Sequence, residues 1–90
     1  MTAAENRRHA ILHVLARTET PITTSEVVET IEEWLVLGLL ADDKDVLPTL
    51  GRFDRTHDSL VRLHRQDLIT RAGRPARWQI TDEARTLVLA

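Results

Sequence analysis

Cysteine is absent from this chain. That excludes a disulfide framework, thiolate catalysis and thiolate zinc sites together. Aromatic residues make up 3% of the sequence, and glycine and proline occur three times each. No glycine-rich phosphate loop can be assembled from so few glycines, and stability has to come from packing. Long apolar runs are lacking as well. The longest, Trp34 to Ala41, is interrupted by Gly38 and falls far short of the roughly 20 residues that span a bilayer. Near the N-terminus the apolar stretch after Arg7 and Arg8 is broken by His9, His13 and Arg17, which does not read as a signal peptide. A soluble cytoplasmic protein is the expectation. Lysine occurs once against eleven arginines, a compositional bias that is no binding signal by itself.

Ninety residues are enough for one domain, expected over 1–90, with little core to spare for a large active-site cleft. The net charge of −2 divides unevenly along the chain. Residues 1–23 hold three arginines against two glutamates, residues 24–50 one lysine against seven acids, and residues 51–90 eight arginines against five acids. The chain is therefore acidic in its middle and basic towards its C-terminal end, and a local potential is what a nucleic acid meets.

Helical spacing of Ile11, Leu12, Val14 and Leu15 predicts a first helix over residues 4–17. Pro21 ends that pattern and biases Thr20 towards extended backbone. Thr23, followed three residues later by Glu26, forms a capping-box start for a second helix. Val27, Val28, Ile31, Trp34 and Leu35 supply its buried stripe to about Leu37. A third helix over 51–66 is read with Phe53, Leu60, Leu63 and His64 turned inward and Arg55, Asp58, Ser59, Arg62 and Gln66 turned outward. Such an outward strip can bond phosphates and base edges, and it is equally what an ordinary solvated helix displays.

Between 68 and 81 the stretch LITRAGRPARWQIT alternates on both sides of a turn, predicting a two-stranded ribbon. Trp78 and Ile80 share its inner face and Arg77 and Gln79 its outer one. Gly73 and Pro75 shape the turn and project Arg74. A last helix starts near Asp82.

In this order the segments RRHAILHVLARTETPITTSEVVETI, THDSLVRLHRQDLITR and GRPARWQITDEARTLV resemble the winged helix-turn-helix transcription regulators of bacteria and archaea. The likeness covers most of the chain except 38–50. It implies an α+β, mostly helical fold with a three- to four-helix core and a C-terminal two-stranded β-wing. The connection between the second and third helices is enlarged, where a tight helix-turn-helix has a turn of about 3 to 4 residues.

The function implied is sequence-specific binding of double-stranded DNA by a homodimer. Arg55, Asp58, Ser59 and Arg62 then face base edges in the major groove, Arg52 and Arg65 hold phosphates, and Arg74 and Arg77 engage the minor groove or the backbone. His57 is either a packed imidazole, as His64 is read to be, or a phosphate contact. The alternative is a protein-interaction module that uses the acidic and apolar segment 32–50 and binds no DNA.

Catalysis and metal binding find little footing. Ser25 and Ser59 have no evident base and orienting group, and adjacent Glu32 and Glu33 do not converge on one point. His9 and His13 stand one helical turn apart without a third ligand. No enzyme activity, cofactor or metal is expected.

Overall fold

The computed structural model describes residues 3–38 and 52–89, without the side chains of Ala3, Ala4 and Arg52. Four helices and a three-stranded antiparallel sheet make up these residues, a small α+β arrangement that is mostly helical. In chain order they are α1 (Ala3–Ala16), β1 (Ile22–Thr23), α2 (Thr24–Val36), α3 (Arg52–Arg65), β2 (Ile69–Ala72), β3 (Arg77–Ile80) and α4 (Asp82–Leu89). The enlarged connection expected over 38–50 lies outside the described residues, save Gly38. None of the described helices is long and apolar enough to cross a membrane.

The capping box read from Thr23 and Glu26 forms. The Thr23 side chain accepts from the Glu26 backbone N–H at 3.3 Å, while Glu26 Oε1 accepts from the Thr23 backbone N–H at 3.1 Å and from its hydroxyl at 3.0 Å. Thr23→Ala is expected to cost about 1 kcal/mol, the typical loss for an N-cap threonine, read as a lower urea midpoint. Hydrogen bonds from the Thr23 backbone and hydroxyl, with a smaller effect of the Arg77 charge, hold the Glu26 carboxyl below its ordinary range. A depressed carboxyl stabilises the fold fully above its unfolded pKa, and the contribution disappears as pH falls through the folded value. The gap between wild type and variant should therefore narrow in acid. A gap that stays constant from neutral pH downwards would show that the Thr23 hydroxyl has no share in holding the Glu26 carboxyl down.

Helix ends follow their local chemistry. At the end of α2, Gly38 adopts φ 73°, a left-handed conformation that glycine enters without steric cost. At the end of α3 an aspartate does the same work: Asp67 stands at φ 60°. The Leu68 N–H reaches Leu63 O at 3.2 Å and the Asp67 N–H reaches His64 O at 3.0 Å. This Schellman pairing satisfies two of the helix's terminal carbonyls and turns the chain directly into β2. Thr81 caps α4 by accepting from the Ala84 N–H at 3.2 Å.

The sheet order is β1-β3-β2, so the sequence-distant β1 completes the ribbon formed by β2 and β3. Ile22 pairs with Trp78 and Thr23 with Arg77 across one ladder, and Ile69 with Ile80 and Arg71 with Trp78 across the other. Ile69, Trp78 and Ile80 face the helices and join Ile11, Val14, Leu15, Val27, Ile31, Leu60 and Leu63 in one buried cluster. The antiparallel sheet has one apolar face and one solvated face, as its alternating sequence requires.

Candidate nucleic-acid interface

The third helix carries most of the residues expected to touch DNA, and its orientation decides their use. Thr56, Ser59, Leu60 and Leu63 are its buried positions, whereas Phe53 is 48% exposed and His64 is exposed. Ser59, expected to face outward, is only 6% exposed. Compared with the inward direction read from the apolar residues, the buried stripe is rotated by roughly 50°, half of one residue step. The cause is packing of α3 against both α1 and α2, which buries Thr56 and Ser59 together with Leu60 and Leu63. The Thr56 hydroxyl has no hydrogen-bond partner among the described residues.

This rotation sorts the exposed residues of α3 into three strips. At about 100° per residue, Asp54, Asp58 and Arg65 form the outward centre, Asp58 and Arg65 also reaching the rim of the α1 cleft, while Val61 between them is partly buried against the core. Arg55 and Arg62 lie on the flank beside α1, where they line a cleft with Arg7 and Arg8. Phe53, His57 and His64 form the opposite flank, beside the hairpin. Arg52 opens the helix, but its expected phosphate contact lies outside the described side chains.

On the hairpin side, Trp78 is the fixed point. It is fully buried, and its Nε1 donates to the Thr24 hydroxyl at 3.0 Å. That hydroxyl also stands 3.5 Å from His57 Nδ1. The rings of His57 and His64 present edges to the indole with centroids 6.0 and 6.2 Å away, and Phe53 stacks on His57 at 6.5 Å. His57 is thus a half-buried imidazole held by Thr24, Phe53 and Trp78, while His64 remains exposed on the far edge. Cross-strand from Trp78, Arg71 places its guanidinium carbon 5.3 Å from the ring centroid, a cation–π distance.

The turn Gly73–Arg74–Pro75–Ala76 joins β2 to β3, with Gly73 at φ 81°, a conformation that disfavours any Cβ. Arg74 and Arg77 are exposed, as expected of them. The Arg77 charge also lies near enough to Glu26 to help hold its carboxyl down.

Three elements converge beside this hairpin. Thr23, Thr24 and Ser25 from the start of α2, Phe53 and His57 from the first turns of α3, and Arg71, Pro75 and Ala76 from the hairpin line one open groove of about 330 Å³. Thr24 and Arg71 carry no local sequence signal for this role. Thr24 reads as the first residue of a helix, and its bond to Trp78 spans 54 residues of chain. Arg71 is legible only through alternation with Ile69.

Of the two histidines on α1, His13 is engaged locally: Arg17 Nη1 stands 3.1 Å from its Nδ1. Burial, with smaller effects of the Arg17 and His9 charges, lowers the His13 pKa. Among the described residues no three His, Cys, Asp or Glu side chains gather as a metal site would require. Comparison of the chain with protein-family models, with curated proteins and with solved structures finds no match in any of the three.

Proposed function

We propose that this chain is a winged-helix protein that binds double-stranded DNA, as a homodimer, to regulate transcription. The observation that carries the reading is the convergence of the starts of α2 and α3 and the hairpin on one groove bordered by Arg71. The order helix, strand, helix, helix, hairpin, helix, with β1 closing the sheet beside β3, supports the winged-helix layout. In this reading α3 lies in the major groove with its outward centre towards the base edges. Asp54 and Asp58 suit cytosine amino groups and would be repelled by phosphates, while Arg65 suits guanine or a phosphate. Arg71, Arg74 and Arg77 meet the backbone or the minor groove beside it, where arginine is drawn to negative potential. Two copies related by a twofold axis would read two half-sites.

The test is duplex binding by the purified chain over a series of salt concentrations. Contacts to about six phosphates give a slope of log affinity against log salt near about −5. Absence of binding to random and native upstream DNA at about 50 mM salt, where phosphate contacts are strongest, sinks the reading. A second reading is favoured by Val36 and Leu37, 87% and 62% exposed at the end of α2. It has the segment 32–50 dock a protein and no DNA bound, and it takes the place of the first if that test fails.

A further inference from the structure

On the side of α3 turned away from the hairpin, α1 and α3 enclose an open cleft of about 670 Å³, within the size range of ligand sites. Five arginines line it: Arg7 and Arg8 from α1, and Arg55, Arg62 and Arg65 from α3. Asp58 is the one acid among its lining residues. That concentration occurs on a chain whose net charge is −2. It does not follow from the average composition. It follows from the rotation of α3, which brings its arginine flank against the Arg7–Arg8 pair, some fifty residues earlier in sequence.

The arginines of the two helices act on one another across the cleft. Arg7 is 6% exposed, and burial, then the charges of Arg55 and Arg8, act against its protonated form. Guanidinium groups keep their charge in proteins, so the cleft presents five positive charges against its single lining acid, Asp58. The cleft is also elongated. From Arg55 to Arg65 the helix rises about 15 Å, more than a single carboxylate or phosphate can cover. Planar guanidinium forks match phosphate oxygens two at a time.

We propose that the α1–α3 cleft binds a ligand bearing two or more phosphoryl groups, held by Arg8, Arg55, Arg62 and Arg65. Arg7 has contacts of its own within the fold and supports the site from below. Two sources share this chemistry: the phosphodiester backbone of a nucleic acid, and a free polyphosphorylated small molecule. The first deepens the DNA reading. A helix about 10 to 12 Å across fills a major groove of about 12 Å, so the hairpin flank and the arginine flank of α3 would face opposite backbones. The second stands without DNA binding altogether.

The experiment titrates tripolyphosphate, and separately a DNA duplex, into the full chain at low salt, following backbone amide resonances. Tripolyphosphate is expected to shift Arg8, Ser59 and Arg62 saturably. Arg8→Gln with Arg62→Gln should weaken it by about tenfold or more, as for lost charge-assisted contacts. Arg65→Gln, at an exposed position on the cleft lining, serves as the second variant should the double one unfold. If the duplex shifts the same cleft amides and tripolyphosphate competes with it, the ligand is a nucleic-acid backbone. If the duplex leaves them unmoved while tripolyphosphate saturates, it is a free polyphosphate. Failure of the DNA reading is seen separately, as unmoved amides at Arg71 and Gly73. The cleft proposal is overturned if neither probe saturates those amides, or if the folded variants bind tripolyphosphate as wild type does.

Discussion

Trp78→Ala is expected to lower stability by about 3–5 kcal/mol, the range for removing a buried tryptophan or phenylalanine. The indole is fully buried and touches nearly every element that forms the hairpin groove. Its Nε1 reaches α2 at Thr24, its ring meets His57 and His64 on α3, and its backbone pairs with both β1 and β2. For a small domain with total stability of about 5–15 kcal/mol, such a loss leaves a substantial unfolded population. Urea denaturation followed by far-ultraviolet circular dichroism provides the measurement, with a lower midpoint and an unchanged slope. Trp78→Phe should cost less, about 1–3 kcal/mol, because most of the ring remains while Thr24 loses its donor. An alanine variant as stable as wild type would show that the hairpin is not anchored by the indole.

Arg71→Ala combined with Arg74→Ala is expected to reduce duplex affinity about 60-fold at 0.1 M salt. Each phosphate contact contributes a salt exponent of about 0.9, worth roughly eightfold between 1 M and 0.1 M, and two contacts multiply. The slope of log affinity against log salt should flatten by nearly 2 in the same variant. Arg77→Ala alone should have the smaller effect, since it removes one phosphate contact and not two. Arg17 is the control. It sits over the Trp34 ring at 5.8 Å, several turns along α2 from the groove, and its replacement should leave binding within about twofold of wild type. Equal losses from Arg17→Ala and from the Arg71/Arg74 pair would mean that net charge, not the hairpin, governs binding.

Much of the architecture is legible in the sequence. The α1 periodicity, the Thr23–Glu26 capping box and the alternation around the GRP turn each depend on neighbours within a few residues, and each places its element correctly. The buried face of β3 was readable for the same reason, because strand geometry sends Trp78 and Ile80 to one side whatever lies beyond.

The orientation of α3 was not legible in that way. Taking polarity as exposure turned Ser59 outward and Phe53 inward, and the structure reverses both. Small hydroxyl side chains are read as polar from sequence, yet they are also what allows two helix backbones to approach closely.

Among the described residues the sequence alone placed each helix to within about a residue and the ribbon within 68–81, because caps, turns and periodicities are short-range interactions carried by adjacent residues. Only the tertiary structure decided which arginines stand together. Rotation of α3 by half a residue step is set by its contacts with α1 and α2, and that rotation separates a hairpin groove holding Arg71 from a cleft holding Arg8 and Arg62. The Thr24–Trp78 bond belongs to the same class. Both arise between residues far apart in the chain, where packing, and not local propensity, selects the partner.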